Sequence, residues 1–257
     1  MRNSMAKKKK MKNHFQKNET IRLNKYLSDA GLCSRRAADE HIAKGEVTID
    51  GLRANLGDRV SKDQKVKFLG KLVKSDDELI LIAFNKPKGI ECTTDKKVKN
   101  NVINYINYGK KIIYIGRLDK DSEGLLLLTN DGDLAQSIAR GRNLHEKEYI
   151  VKVNRPITAS FIKGMESGVP ILNTITRPCT LIPMDQYTFK IIITQGLNRQ
   201  IRRMCEYFGY KVIELKRIRI MNINLGRLQV GNYRNITEKE LTTLKQYLDQ
   251  KKDRNSM

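Results

Sequence analysis

The sequence predicts an α+β protein in two parts, and three observations predict it. The first fifty ordered positions read as two helices followed by short strand-like pieces. From residue 79 onward, short β-rich runs and helical segments alternate irregularly, without the regular β-α repeat of a parallel sheet. The chain has 257 residues, 39% apolar and 30% charged. That is long enough to bury a core, and it excludes collagen-like, wholly disordered and polytopic membrane classes.

The formal charge is +22. That exceeds what solubility needs and points to a polyanionic partner. Residues 1–20 read as a disordered basic arm of net charge +6. It serves either as a solubilising tail or as a nonspecific attractor of phosphate. The remaining excess is spread, +3 over residues 21–69 and +13 beyond, so the basic character does not depend on the arm.

Residues 21–69 form the small unit. Leu23, Tyr26, Leu27 and Ala30 fall at helical spacing, and Gly31 follows as a stop. Ser34 is placed to cap a second helix over 35–45, which Gly45 ends. VTIDG (47–51) and VKFLG (66–70) read as short strand-like pieces. Arg35 and Arg36 sit in the first turn of the second helix, where cations oppose the helix dipole. Phosphate binding explains them, and so does a solvated face.

The polar stretch 70–78 reads as a linker, residues 79–250 as the larger unit and 251–257 as a tail. Strands are expected at 79–84, 111–116, 124–129, 147–153, 189–194, 211–215 and 218–225. Helices are expected at 133–139, 158–165, 199–208 and 237–248. No G-x-G-x-x-G or Walker A motif occurs, so no nucleotide cofactor is expected. The four cysteines make no CxxC pair and fit no zinc spacing. A reducing, cytoplasmic location is the expectation, with neither signal peptide nor membrane span.

The stretch that carries chemistry is YIGRLDKDSEGLLLLTNDGDL (114–134): a strand, a turn rich in Arg and Asp, then a very apolar strand. A calcium loop beginning at Asp119 fails at its twelfth position, which is Asn130 and not a bidentate carboxylate. Asp121 and Ser122 can bond their own backbone, and Asn130 or Asp131 can cap the following helix. Arg117 and Asp119, two residues apart, share one face of a strand. A carboxylate leaving a dry strand has its pKa raised by desolvation, and a nearby cation returns it to the charged form. Such a group can attack an anomeric carbon. One carboxylate with basic neighbours suits glycosyl-type chemistry better than metal-dependent phosphoryl transfer.

Two resemblances follow from these motifs. RLNKYLSDAGLCSRRAADEHIAKGEVTIDG (22–51) resembles the S4-like RNA-binding domain, which places Arg35 and Arg36 on the RNA-facing side. GRLDKDSEGLLLLTNDG, with NKPKGI (85–90) upstream and KEY (147–149) and GLNRQIRRM (196–204) downstream, resembles the RNA pseudouridine synthases. The branch is the one that modifies ribosomal RNA and carries an N-terminal S4-like domain. QGLNRQIRRMCEYFGYKV (195–212) is most similar to its F-type, large-subunit subfamily. The resemblance implies a catalytic domain on a mixed, mainly antiparallel β-sheet with flanking helices.

It also implies roles. Asp119 takes the place of the catalytic aspartate and Arg117 that of the arginine associated with displacing the target nucleotide. Tyr149 takes that of the tyrosine packing on the target base, and Arg202 that of the buried cation pairing with the aspartate. From the residues alone, Tyr149 is equally a core aromatic and Arg202 equally a solvated charge. Lys86 and Lys88 fit a turn touching RNA backbone, or a plain Pro-Gly turn. The implied partner is ribosomal RNA, transfer RNA remaining open, with neither DNA nor a membrane; the expected state is a monomer. The reaction needs no cofactor and no metal. Whether Asp119 attacks sugar or base, or removes a sugar proton, is left open. A non-catalytic RNA-binding or ribosome-assembly protein fits the charge equally well, but not a bare carboxylate placed where RNA should bind.

Overall fold

The computed structural model describes residues 20–74, 78–95, 97–139 and 144–254. The basic arm expected over 1–20 lies outside them except for Thr20. The chain divides into two compact units, split after Ile80.

In the first unit, β1 (Ile21–Arg22) leads into α1 (Leu23–Asp29), and α2 (Arg35–Ala43) follows. Ser34 caps α2 as expected, its Oγ accepting from the Ala37 N–H at 3.2 Å. Strands β2 (Val47–Ile49), β3 (Leu52–Arg53), β5 (Val66–Phe68) and β6 (Lys71–Leu72) form one antiparallel sheet. β4 (Arg59–Val60) pairs with β1. Leu23, Leu27, Ala38, Ile42, Val47 and Val66 make the core. The expected linker over 70–78 begins too early. Lys71–Leu72 pair with Phe68 and Lys67, and Val73 is buried in this core, because its side chain completes the apolar layer under the sheet.

The second unit opens with β7 (Leu81–Lys86), α3 (Val102–Ile106), β8 (Ile113–Ile115) and β9 (Glu123–Thr129). Then come α4 (Gly132–Ala139), β10 (Lys147–Val153), α5 (Ala159–Glu166), and the short pair β11 (Pro170–Ile171) and β12 (Thr174–Ile175). β13 (Thr180–Pro183), β14 (Thr188–Ile193), α6 (Gln200–Tyr207) and β15 (Val212–Ile220) follow. β16 (Ile223–Asn224), β17 (Tyr233–Asn235) and α7 (Glu238–Arg254) close the chain. Among the described residues nine of these strands form one sheet, in the order β13-β14-β10-β15-β9-β7-β17, with β8 on β9 and β16 on β15. All its pairings are antiparallel except β15 with β9.

β7 is buried throughout and β9 is buried from Gly124 to Thr129, which is why both read as unbroken apolar runs and not as alternation. Asp131 caps α4, its Oδ1 accepting from the Asp133 and Leu134 N–H groups. The runs expected as two strands at 211–215 and 218–225 join into the single strand β15, which continues through Lys216 and Arg217. The tail expected from 251 is helical to Arg254, as the last turn of α7.

β9 and β15 meet at Gly124, whose φ is +108°. A Cβ there would stand against the carbonyl oxygen of Arg217 and 2.7 Å from its nitrogen. Only glycine lets the two backbones come this close. Among the described residues no helix is long and apolar enough to cross a membrane.

Candidate active site

The loop 116–122 joins β8 to β9 and carries Asp119. It is closed by the Ser122 N–H donating to the Asp119 carbonyl at 3.1 Å, and the Gly89 N–H donates to the Lys120 carbonyl at 2.8 Å. Leu118 is buried and its N–H donates to Cys92 Sγ at 3.4 Å. Burial pushes the Cys92 thiol pKa up. β8 ends at Ile115, so Arg117 and Asp119 lie in the Arg- and Asp-rich turn expected after the strand, and the shared strand face considered for them does not apply. They still flank a buried Leu118, with Arg117 exposed and Asp119 half-buried.

Two guanidinium groups face the Asp119 carboxylate. Arg199 Nη1 is 3.8 Å and Arg202 Nε 3.9 Å from Oδ2. Arg202 is 8% exposed, on the inward side of α6. It donates to the carbonyls of Val212 (3.4 Å) and Asp121 (3.3 Å) and to Ser122 Oγ (3.3 Å). Its Nε is buried and has no hydrogen-bond partner among the described residues, so that edge is left to the carboxylate. Arg199 occupies the left-handed position (φ +50°) that starts α6.

Tyr149 lies on β10 opposite Arg217 of β15. The Arg217 guanidinium carbon sits 5.9 Å from the Tyr149 ring centroid, and Nη1 donates to the phenol oxygen at 3.5 Å. Arg217 is 2% exposed. It also donates to the carbonyls of Leu125 (2.7 Å) and Arg117 (3.4 Å). One buried cation therefore ties the aspartate loop, the strand after it and the tyrosine together. The cleft between these elements has a volume of about 810 Å³, and Arg117, Asp119, Lys147, Tyr149, Arg199 and Arg217 line it. That is room for a nucleotide, with convergent polar groups on an apolar frame.

Residues 80–207 match the RNA pseudouridylate synthase family, and residues 21–78 match the S4 domain. The dual-specificity RNA pseudouridine synthase RluF of Salmonella typhi is 51% identical over 227 residues, covering 88% of this chain and 78% of that protein. The ribosomal large subunit pseudouridine synthase B of Bacillus subtilis is 33% identical, covering 90% and 98%. The chain belongs to the RNA pseudouridine synthases. A crystal structure of a pseudouridylate synthase superposes with a TM-score of 0.63 at 29% identity, over 87% of this chain and 99% of that one. Nothing in these relationships favours a non-catalytic assembly protein.

Within this pseudouridine synthase, the cleft brings together Arg117, Asp119 and Tyr149, with Arg202 behind the aspartate. Lys88 is exposed in the turn after β7. Arg35 and Arg36 are exposed in the first turn of α2, in the other unit. Lys86 is a correction: it is fully buried, not an RNA contact. Its Nζ donates to the carbonyls of Pro87 (2.8 Å), Ser122 (2.9 Å) and Lys120 (3.5 Å), pinning the aspartate loop from beneath. Burial pushes its pKa below the ordinary lysine range, against the pull of Cys92, Asp119, Asp121 and Glu123. The pleat explains the error: Lys86 is the last residue of a strand buried on both faces, so its side chain cannot reach water.

Three residues of the site were missed in the sequence. Arg199 stands beside the recognised QIR motif but on no periodic face. Arg217 falls in the gap between the runs 211–215 and 218–225 expected as two strands, so the sequence pattern assigns it no strand face. Lys147 opens KEY two residues before Tyr149, and that i, i+2 spacing was the available signal. Burial, then the nearby Arg217, pushes the Lys147 pKa down to about 8.

Proposed function

We propose that this synthase isomerises a specific uridine to pseudouridine in structured RNA, with Asp119 as the catalytic residue. The observation that carries the reading is a half-buried carboxylate beside two guanidinium groups, in a cleft lined by a tyrosine. The RNA is held mainly by phosphate contacts, to which Arg35, Arg36 and Lys88 contribute. One uridine leaves its stack, at a cost of roughly a few kcal/mol. Arg117, exposed at the cleft mouth, fills the vacated space, and Tyr149 packs on the extruded uracil. Asp119 acts on the nucleotide, the N-glycosidic bond breaks, and the base turns and rejoins through C5. Loss of the C5 proton to solvent completes an isomerisation with no redox change. The dry strand β9 behind the loop helps keep water from the open sugar.

The substrate we favour is large-subunit ribosomal RNA, since the B. subtilis relative is named for it. Transfer RNA is the second substrate to test. We further propose a cytoplasmic monomer without DNA or membrane partners, in which residues 79–250 form the catalytic domain and the segment before them the RNA-binding domain. The test uses C5-tritiated RNA. The intact protein is expected to release tritium, and Asp119→Asn to release none while keeping its RNA affinity. An intact protein that releases no tritium from ribosomal or transfer RNA refutes the reading.

A further inference from the structure

Lys147 is the one lysine lining the cleft on the same strand as Tyr149. β10 pairs with β14 in unbroken antiparallel register there, Lys147 with Ile193 and Tyr149 with Ile191. The two side chains therefore leave one face of β10, about 7 Å apart along the strand. Among the described residues the Lys147 ammonium has no carboxylate partner, and its hydrogen bond is to the His145 carbonyl at 3.4 Å. Its neighbour Glu148 projects from the opposite face and is taken up by Arg219 and Lys190. Among the described residues the cleft lining holds five cationic side chains and two carboxylates, Asp119 and Glu91. Glu91 is already paired to Lys120 at 3.0 Å, and Asp119 faces Arg199 and Arg202.

A half-buried cation without an anion, in a cleft that admits a polyanion, is completed by the ligand. The geometry says which part. A nucleotide's phosphate lies beyond its sugar, at a distance from the base on the order of the two-residue separation of Lys147 and Tyr149 on β10, so a uracil packed on Tyr149 leaves its phosphate within reach of Lys147. We infer that Lys147 binds the phosphate of the extruded nucleotide and so sets how far that nucleotide enters the cleft. The inference rests on the proposed uridine chemistry. Protonated below about pH 8, Lys147 is charged at physiological pH as the role requires.

The test compares the full-length protein with Lys147→Met, Lys147→Gln and Lys147→Arg on a C5-tritiated large-subunit ribosomal RNA transcript, at several salt concentrations. A lost phosphate contact is expected to lower kcat/KM about tenfold or more in the Met and Gln variants. It also makes log kcat/KM less steep against log salt by roughly one unit. Lys147→Arg keeps the charge and is expected to retain most of the activity and the full slope. Thermal melts establish that each variant is folded. An unchanged salt slope with lowered kcat/KM overturns the phosphate contact in favour of a base or packing contact. Unchanged kcat/KM in a folded Met or Gln variant overturns any substrate role. Because wild-type turnover is the reference throughout, failure of the uridine reading shows as no tritium release at all and is distinct from both.

Discussion

Gly124→Ala tests whether the approach of β9 to β15 builds the site. The added methyl group meets the Arg217 backbone on three atoms, with the nitrogen at 2.7 Å and the carbonyl carbon at 3.0 Å. Neither strand can yield locally, because both lie inside the sheet. Overpacking of this kind costs about 1–3 kcal/mol, and an L-residue at φ +108° adds about 1–2 kcal/mol. Gly226→Ala is the control: its φ is +58° and nothing lies within 4 Å of its Cβ, so only the backbone cost of about 1–2 kcal/mol remains. For a unit of this size each kcal/mol moves Tm by about 2–4 °C. Gly124→Ala is thus expected to lose about 10 °C and Gly226→Ala about 4 °C. Far-UV circular dichroism is the probe, since the chain has no tryptophan. The folded Gly124→Ala protein is also expected to lose tritium release, because Arg217 carries both Tyr149 and the Arg117 carbonyl. Equal melting losses in the two variants would show that the strands do not meet at position 124 as described.

Further outcomes follow from other parts of the site. Arg202→Met removes the buried cation beside Asp119 and is expected to lower kcat about a hundredfold with RNA affinity retained; a loss under threefold in single-turnover assays counts against the pairing. Lys86→Met is expected to leave the salt slope of RNA binding unchanged, whereas Lys88→Ala lowers it, because only Lys88 reaches solvent. Filter binding distinguishes them, and a shallower slope for Lys86→Met contradicts its burial. Since Lys147 loses its proton as pH rises through about 8, wild-type kcat/KM is expected to fall there more steeply than that of Lys147→Arg, which stays charged. Superimposable profiles would remove Lys147 from that limb. Arg35→Ala with Arg36→Ala is expected to weaken RNA binding and reduce the salt slope by roughly two; an unchanged slope moves the RNA off the α2 start.

Local chemistry was legible wherever neighbours in sequence are neighbours in space. Ser34, Asp131 and Thr158 cap the helices that follow them, and each stands at or beside a helix start in the sequence pattern. The apolar runs of β7 and β9 announced buried strands. The edges were less readable. α3, β11 to β13 and β17 are too short for periodicity to declare, and Val73 joins its core across a stretch whose composition is that of a linker.

What the sequence determined by itself is the order of the longer elements, the caps, and the motif that sets an aspartate in a loop between two apolar strands. These depend on contacts within a few residues. The partners of that aspartate's surroundings depend on pairing across the sheet. Arg217 and Arg219 are two apart, and alternation puts them on one face. In the fold, Glu148 pairs with Arg219 and the next residue, Tyr149, with Arg217, because β15 carries an extra residue at Ile218. That bulge turns Arg217 toward the tyrosine and the cleft and Arg219 toward Glu148 and Glu146 on the other side. A one-residue offset between strands some sixty residues apart leaves no trace in either strand's own pattern, so only the assembled sheet decides which cation serves the site.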